Sequence, residues 1–434
     1  MTEGKIVVGV DIGTSKIITI IAKLDEAVSV LGVSEVVSSG IKKGQIVNIE
    51  EAVLAINTSI EAAERMAGVS VSRVIASIGG SNIESQNSRG VVAVAQPEGE
   101  ISSTDVGRVI DAAKAVSLPS TREIIHVLPR SFTVDGQEGI KDPVGMTGTR
   151  LEVETHIISG GSPTVRNLEK AFSQVGVDVE GLVFSGYASG LSTLSETEKE
   201  LGVVLVDIGA GTTDISIYID GSVAYSSVLP IGARHITNDL AIGLRISLES
   251  AEKVKLFLSR PQRKITGFEE GLTRDEIREK RLKADEVDLS SLSLPEQLNK
   301  VSQKTLVDGI IKPRLNEIFT MVGLEIKKSG FGGQTPSGLV ITGGGARSVG
   351  AVESAKRMLA MPVRIGEPQD MKGIIDEIQD SAYAAVVGLT VYGALLGVES
   401  TSSFKMKLPK GMPSFRIPGK LPKKIMDLIK SFIP

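Results

Sequence analysis

The strongest constraint on the fold is an internal repeat of an Asp-Ile-Gly turn. One β-branched run ends at Asp11-Ile-Gly13 and a second ends at Asp207-Ile-Gly209, and another β-branched run follows each turn. This pattern is typical of a strand–turn–strand hairpin. Because the hairpin occurs twice, we expect two similar α/β domains that face each other.

The glycine-bearing turn in each hairpin predicts a phosphate-binding site. Such a turn leaves outward-facing backbone N–H groups that bind phosphate oxygens. Further donors in the two turns are Thr14, Ser15, Lys16, Thr212 and Thr213. Asp11 and Asp207 are predicted to hold a hydrated Mg²⁺, which prefers carboxylate, water and phosphate oxygens. The alternative is two ordinary hairpins, but the repetition of the motif favours a functional role.

A third glycine motif follows another predicted strand. Gly343-Gly344-Gly345 lies between a strand predicted at Gly338–Thr342 and a helix predicted at Ser348–Leu359. Glycines at this junction permit close approach of a flat base or a ribose, and Arg347 is available to stack on a base. A flexible loop is the alternative interpretation.

Glu252 and Lys255 form a smaller candidate site. Residues i and i+3 share one face of a helix, so both side chains are predicted to reach one ribose diol. A solvated helix face is the alternative interpretation.

The composition excludes several functional classes. The chain has no cysteine and only three histidines, which excludes disulfides and thiolate sites and disfavours a histidine-rich metal site. It has no tryptophan and a net charge of −4, so it has no general basic field for DNA or RNA. We therefore expect no nucleic-acid partner.

The charge is concentrated at one end of the chain. Residues 401–434 carry eight basic side chains and one acid, a net charge of +7, whereas the preceding 400 residues carry −11. A basic segment on an acidic protein predicts contact with an anionic partner.

The last residues predict an amphipathic helix that binds a membrane. At about 100° per residue, the apolar and lysine side chains of 420–434 fall on opposite faces. A linker rich in proline, glycine and lysine (401–419) precedes it, which favours an anionic membrane surface over the protein's own core. The predicted membrane-binding residues are Leu421, Lys423, Lys424, Ile425, Met426, Leu428, Ile429, Lys430, Phe432 and Ile433.

No secretory signal or membrane span is predicted. No apolar segment follows a basic N-terminal start. Ser381–Val398 is an uncharged run of 18 residues, but acidic residues flank it and it contains only three leucines. We interpret it as a buried core helix and expect a cytoplasmic protein.

Three further segments have predicted structures. Apolar periodicity predicts a helix at Glu50–Met66. Thr305–Ile326 is predicted as a long helix that Pro313 interrupts. Residues 260–303 are polar and charged and are predicted to form a surface subdomain with helical pieces.

These motifs and their order resemble the actin-like ATPase superfamily, in which two helices connect the domains; here these match Gly186–Leu194 and Ala382–Leu396. Within the superfamily, the chain resembles the FtsA family of bacterial cell-division proteins. The most specific stretches are His126-Val-Leu-Pro-Arg-Ser-Phe-Thr-Val-Asp-Gly136 and Gly139-Ile-Lys-Asp-Pro-Val-Gly-Met-Thr-Gly-Thr-Arg-Leu-Glu152, which resemble the family's inserted subdomain. Ile310-Ile-Lys-Pro-Arg314 and the basic tail also resemble the family.

The resemblance implies an actin-like α/β fold: two duplicated α/β domains with inserted subdomains and a C-terminal amphipathic helix. The implied divisions are a first domain core at 1–84 and 160–198, an inserted subdomain at 85–159, a second domain core at 199–231 and 305–400, a further subdomain at 232–304, the linker at 401–419 and the membrane helix at 420–434.

The resemblance also implies ATP, with Mg²⁺, bound between the two domains. The first phosphate loop matches Asp11, Gly13, Thr14, Ser15 and Lys16. The second matches Asp207, Gly209, Ala210, Gly211, Thr212 and Thr213. The ribose contacts match Glu252 and Lys255, and the adenosine pocket matches Gly343, Gly344, Gly345 and Arg347.

One departure from the superfamily concerns hydrolysis. Relatives carry an acid or amide near the start of the first connecting helix, where it orients the attacking water. The corresponding stretch here, Phe184-Ser-Gly-Tyr-Ala188, has no such side chain. We therefore expect weak ATPase activity or none, with nucleotide acting mainly as a conformational ligand.

The function implied by the resemblance is structural. Such a protein polymerises, tethers the ring of the tubulin-like protein FtsZ to the cytoplasmic face of the membrane at the division site, and recruits later division proteins. The implied partners are the FtsZ C-terminal peptide, bound within about 232–312, further copies of the chain, other membrane proteins of the division machinery, and anionic lipid.

Two rival functions come from the same superfamily. A sugar kinase would need a catalytic aspartate in a sugar cleft and has no use for an amphipathic tail. A pilus-assembly ATPase relative is similar in the core but lacks the basic amphipathic end.

Overall fold

The computed structural model describes residues 5–24, 28–95, 99–115, 118–260, 285–369, 371–373 and 378–402, with side chains as far as residue 396. The strands are β1 (Lys5–Ile12), β2 (Lys16–Leu24), β3 (Val28–Val37), β4 (Ile41–Lys42), β5 (Gln45–Ile46), β6 (Arg73–Ile78), β7 (Glu84–Ala93), β8 (Arg122–Val134), β9 (Gln137–Ile140), β10 (Arg150–Gly161), β11 (Asp178–Phe184), β12 (Val203–Ile208), β13 (Thr213–Ile219), β14 (Ser222–Leu229), β15 (Glu286–Asp288), β16 (Lys300–Ser302), β17 (Leu339–Thr342), β18 (Val363–Ile365) and β19 (Met371–Gly373). The helices are α1 (Ile49–Ala67), α2 (Ser103–Lys114), α3 (Ser162–Val175), α4 (Ser185–Thr193), α5 (Glu196–Leu201), α6 (Ala233–Leu244), α7 (Leu248–Leu258), α8 (Gln303–Leu306), α9 (Lys312–Ser329), α10 (Ala351–Leu359) and α11 (Ala384–Ser402).

Two of the sheets share one topology. Their strand orders are β11-β6-β1-β2-β3-β19 and β14-β13-β12-β17-β18. In each sheet, an antiparallel meander (β1-β2-β3 or β12-β13-β14) is extended beside its first strand by two parallel strands, and in the first sheet β19 adds a further parallel strand beside β3. The repeated hairpin of the sequence therefore corresponds to the first two strands of each sheet.

A third sheet, β7-β10-β8-β9, is formed by the chain segment that connects β6 to β11, two strands that are neighbours in the first sheet. Its side chains form a separate core with α2, which includes Val109, Phe132 and Leu151. The far end of β10 is different, because Ile158 packs into the core of the first sheet. The insertion is thus joined to the first domain through a continuous strand.

Helices α4 and α11 lie between the two duplicated sheets. Val386, Val387 and Leu389 of α11 are fully buried, and a Cβ atom at Gly388 would overlap the carbonyl of Ala188 in α4. Glycine is therefore what permits the two helices to approach so closely. Among the described residues, no helix is long and apolar enough to span a bilayer.

Local sequence signals account for individual elements. The helix predicted at Glu50–Met66 is α1, which begins after Asn48; that side chain accepts hydrogen bonds from the N–H groups of Glu50 and Glu51. The helix ends at Gly68, whose φ of 70° is the left-handed conformation that favours glycine.

The helix predicted at Thr305–Ile326 with an interruption at Pro313 is found as α8, a π-helical turn at Val307–Ile311 and α9. The regular α-helical hydrogen bonding therefore changes directly before Pro313, which has no backbone N–H to donate. Within 260–303, the described residues form the short antiparallel pair β15–β16 and one 3₁₀ turn. Residues 261–284 lie outside the described part of the chain.

Candidate functional site

The first hairpin turn connects β1 and β2 and is closed by a backbone bond from the Gly13 N–H to the Lys16 carbonyl, 3.1 Å long. A Cβ atom at Gly13 would lie 2.5 Å from that carbonyl oxygen, so a side chain is excluded. The Ile12 N–H donates to Ser77 Oγ at 2.7 Å, which fixes the turn against β6. The turn is thus held in one conformation.

The second hairpin turn repeats this geometry between β12 and β13. The Gly209 N–H donates to the Thr212 carbonyl at 2.9 Å, and the first N–H groups of α6 donate to the carbonyls of Gly209 and Ala210. The buried Thr213 hydroxyl donates to the Ile231 carbonyl, so it is engaged within its own domain. Thr212 is the more accessible hydroxyl of the pair.

The two turns meet directly across the interface between the domains. A Cβ atom at Gly211 would lie only 2.8 Å from Thr14 Oγ1. The two copies of the repeat, whose aspartates Asp11 and Asp207 are 196 residues apart in sequence, thereby lie in one cleft.

Three aspartates lie together at the base of this cleft. Asp207 accepts a 2.5 Å hydrogen bond from Ser189 of α4. Burial raises the pKa of Asp207 to about 6, and it raises the pKa of Asp11 and, more strongly, that of Asp214, which also feels the charges of the other two. Buried like charges of this kind favour a cation in the cleft.

Among the described residues, no group of three or more His, Cys, Asp or Glu side chains is arranged to hold a metal ion by itself. The prediction for Asp11 and Asp207 was a hydrated Mg²⁺, which needs fewer protein ligands. It stays a prediction.

The glycine triplet lies against the second hairpin. Gly343 follows β17 with a φ of 79°, and a Cβ atom there would overlap Asp207 Oδ1. Gly344 and Gly345 begin a 3₁₀ turn that ends at Arg347. The guanidinium of Arg347 is paired with Asp380, so stacking on a base would require that ion pair to rearrange.

Glu252 and Lys255 form a contact with each other on α7. The nearly buried Lys255 amine donates to Glu252 Oε2 at 2.7 Å and to Thr237 Oγ1 at 3.0 Å. The pair is therefore not simply a solvated helix face. Glu252 remains partly exposed.

Lys16, which was predicted to bind phosphate, is paired with a side chain of the protein. Its amine lies 2.7 Å from Glu35 Oε2 and 4.7 Å from the centre of the Tyr383 ring. The Tyr383 hydroxyl also donates to Glu35, so this cation takes part in a small network at the edge of the cleft.

Sequence reasoning missed several residues that line the cleft. Asp214 is 5% exposed and its Oδ1 has no hydrogen-bond partner. A Cβ atom at Gly79 would lie 3.3 Å from Ser185 Oγ and 3.9 Å from Asp214 Oδ2. The available signal was Gly79-Gly80 directly after β6, which resembles the glycines that follow β17.

A second cleft lies on the other side of α6, with a volume of about 350 Å³. Arg314 makes two hydrogen bonds to Asp239, of 2.6 and 2.9 Å, and also pairs with Glu317. Ile242 is 77% exposed beside them. The remaining lining residues are Gly243, Gly309, Ile310 and Pro313.

The predicted membrane-binding residues, Leu421 to Ile433, and most of the predicted linker lie outside the described residues. Their assignment rests on the sequence.

Two family models match the chain. The model described as "SHS2 domain inserted in FTSA" matches residues 80–159, and the model described as "Cell division protein FtsA" matches residues 204–388. The first of these ranges contains the inserted four-stranded sheet except for the last strand end, β10 finishing at Gly161.

Curated relatives are similar over most of the chain. The chain is 37% identical to the cell division protein FtsA of Pseudomonas aeruginosa, over 90% of both chains. It is 39% identical to that of Borreliella burgdorferi, over 89% of this chain and 90% of the relative. It is 33% identical to that of Escherichia coli K12, over 90% of this chain and 91% of the relative.

Solved structures share the fold at low identity. A chain of the PilM-PilN type IV pilus biogenesis complex is 14% identical, with a TM-score of 0.62 over 89% of this chain and 98% of that one. MreB5 of Spiroplasma citri bound to ADP is 14% identical, with a TM-score of 0.52 over 92% of this chain and 100% of that one. These neighbours confirm the predicted actin-like α/β fold.

Proposed function

Since the chain belongs to the FtsA family of bacterial cell-division proteins, we propose that it binds ATP between its two duplicated sheets, polymerises, and links FtsZ to the cytoplasmic face of the membrane at the division site. The observation that carries this proposal is the meeting of the two glycine turns above three buried aspartates.

The cleft fits a nucleotide in three respects. The Gly13 and Gly209 N–H groups close the two turns, so phosphate would bind the N–H groups of the residues that follow them, Thr14, Ser15, Ala210 and Gly211. The aspartates supply negative charge for Mg²⁺, which would screen phosphate charge when bound. Gly343 and Gly345 pack against Asp207 and Ile208, and Gly344, whose Cβ position meets nothing nearer than Ala382 at 3.8 Å, leaves space for the nucleoside. The solved MreB5 structure is described as bound to ADP, and a second one as bound to AMPPNP, at 12% identity and a TM-score of 0.51.

The residues around the terminal phosphate position favour binding over hydrolysis. The first residues of α4, which follow Phe184, provide Ser185 and Tyr187 but no acid or amide. Asp214 lies in the buried aspartate group below, where burial and the charges of Asp207 and Asp11 raise its pKa well above the usual range. We therefore propose that nucleotide acts mainly as a conformational ligand.

The cleft around Arg314 supports the proposed contact with the acidic C-terminal peptide of FtsZ. An exposed apolar side chain, Ile242, lies beside a guanidinium whose present partners are Asp239 and Glu317. A peptide carboxylate would compete with those two acids for Arg314. Since charges at an interface rim contribute modestly, the loss of one such contact is expected to cost about 1 kcal/mol.

The membrane contact is proposed for segment 420–434. Residues 401–434 carry a net charge of +7, and about 1 kcal/mol of attraction to an anionic leaflet is expected for each nearby lysine. Anionic lipid, further copies of the chain and other division proteins are thus proposed as partners alongside FtsZ.

The proposal is tested by electron microscopy on anionic lipid monolayers with ATP, with and without the FtsZ C-terminal peptide. We expect filaments on the lipid that depend on ATP, and retention of the peptide on them. Filaments that form equally well without nucleotide would contradict the ATP part, and an empty monolayer would contradict the membrane part.

A further inference from the structure

The hairpin β4–β5 has an unusual residue at its turn. Lys42 pairs with Gln45, so the two turn residues are Lys43 and Gly44, and both have positive φ, 48° and 73°. Two-residue turns with left-handed backbone at both positions strongly favour Asn-Gly or Asp-Gly. A lysine at the first position is unfavourable for the turn, and such strain is more common at functional sites.

This turn is fixed against the proposed nucleotide cleft. The Gly44 N–H donates to Thr14 Oγ1 at 3.1 Å, and a Cβ atom at Gly44 would lie 2.8 Å from the Gly80 nitrogen. A Cβ atom at Gly80 would in turn lie 3.0 Å from the Lys43 carbonyl oxygen. Lys43 therefore belongs to the wall formed by Thr14 and Gly80.

The base of the hairpin is equally well held. The Gly40 carbonyl accepts hydrogen bonds from the N–H groups of Val47 and Asn48, and Asn48 caps α1. The turn is thus fixed from both ends, and the backbone position of Lys43 is set by the fold.

A bound phosphate would need a cationic side chain, and Lys16, the lysine predicted for this role, is paired elsewhere. Lys16 is occupied by Glu35 and the Tyr383 ring. Lys43 is exposed and has no ion pair with any residue that the structure describes. Its flexible four-carbon stem and three donors suit a phosphate group that arrives in the cleft.

We propose that Lys43 binds the terminal phosphate of the nucleoside triphosphate, and so distinguishes the triphosphate from the diphosphate. This inference rests on the proposed nucleotide site, which it extends by one residue. The strained turn then exists because a shorter asparagine would form a better turn but reach no phosphate.

The substitution Lys43→Asn separates the two roles. Asn-Gly is the preferred pair for this turn, so the variant should unfold at the same temperature as the parent or a higher one. Its affinity for ATP, measured by calorimetry with Mg²⁺, should fall by at least about tenfold, as expected for a lost hydrogen bond to a charged group. Its affinity for ADP should change much less, and Lys43→Arg should retain most of the ATP affinity.

Lys42→Asn is the matched control, because it removes the same charge from the adjacent exposed position, and it should bind ATP like the parent. The inference is wrong if the parent binds ATP and Lys43→Asn binds it equally well. It is also wrong if the variant loses ATP and ADP equally while its unfolding temperature falls. A parent that binds neither nucleotide refutes the proposed function instead.

Discussion

At the scale of single residues, the cleft depends on positions where any side chain would collide with a neighbour. Gly343 stands against Asp207, and Gly211 stands against Thr14. Gly209 differs, since a Cβ atom there meets only Thr212, at 3.1 Å from its carbonyl oxygen and 3.8 Å from its Oγ1. A side chain at Gly209 should therefore block phosphate binding while disturbing few contacts within the protein.

Gly209→Val should abolish ATP binding with little loss of stability, because the side chain would occupy the phosphate position while requiring only a small shift of Thr212. Calorimetric titration with ATP and thermal unfolding measure the two effects. Gly333→Val is the control, since nothing lies within 4 Å of a Cβ atom at Gly333. ATP affinity like that of the parent in Gly209→Val would remove this turn from the site.

A buried histidine joins the inserted sheet to the second domain. His156 Nδ1 lies 2.7 Å from Asn87 Oδ1, and Nε2 lies 3.0 Å from Ser226 Oγ of β14. Since Asn87 Nδ2 donates to the Ala224 carbonyl, its Oδ1 must accept, and this requires the proton on Nδ1. Ser226 then donates to Nε2, so the neutral ring satisfies both neighbours.

This histidine should make stability depend on pH. Burial lowers its pKa to about 3, whereas an unfolded histidine has a pKa of about 6.5. The unfolded state therefore binds the extra proton between these values, and the stability that the neutral ring contributes is complete above pH 6.5 and is lost as the pH falls towards 3.

In His156→Gln, urea unfolding at pH 7.5 should show a loss of about 1–3 kcal/mol from the broken network. The difference from the parent should shrink by about 1.4 kcal/mol for each pH unit below 6.5. Because the comparison is between two variants, contributions from the aspartates cancel. A difference that stays constant from pH 7.5 to 5.5 would show that the ring is not held neutral.

At the scale of elements, the crossing of α4 and α11 sets the distance between the two duplicated sheets. The apolar run Ser381–Val398 is explained by this position, since α11 is covered by the first sheet and by α4. An uncharged helix needs no membrane when it is buried on most of its sides.

Gly388→Ala should destabilise the protein by about 1–3 kcal/mol or more, because the methyl group would push α11 away from the Ala188 carbonyl. Gly107→Ala is the opposite case: Gly107 lies inside α2 with nothing within 4 Å of its Cβ position. There alanine should stabilise by about 0.5–1 kcal/mol through helix propensity. Chemical denaturation of both variants checks the pair, and equal effects would show that the crossing is not close-packed.

At the scale of the whole molecule, a weak membrane helix and a polymer complement each other. Seven apolar side chains of 421–433 offer about 1.5–3 kcal/mol each if fully buried, but interfacial burial is partial. Ordering the segment costs about 1–2 kcal/mol per residue. A single tail should therefore bind reversibly, and a polymer that presents many tails gains avidity without any new contact.

Ile429→Asp should release the protein from anionic vesicles while ATP binding stays intact, because it introduces a charge into the middle of the predicted apolar face. Co-sedimentation with vesicles measures this. Ser431→Asp adds the same charge to the predicted polar face and should weaken binding only modestly, as should raised salt. If Ile429→Asp sediments as the parent does, segment 420–434 is not the anchor.

The sequence alone was sufficient for the features that depend on local chemistry. Turn residues, β-branched runs and apolar periodicity are encoded within a few positions, so the repeated hairpin and helix α1 were predicted before any contact was known. The same holds for the duplicated α/β architecture, which follows from two copies of one hairpin, and the family resemblance supported it.

Only the tertiary structure decided which partner each side chain finds. Lys16 turns to Glu35, Thr213 to the Ile231 carbonyl and Arg347 to Asp380, although each was predicted to face the ligand. Asp214 joins the other two aspartates without any motif of its own. The physical reason is that a turn or a helix is set by its neighbours in sequence, whereas the partner of a charged or hydroxyl group is set by what packing brings within about 3 Å of it.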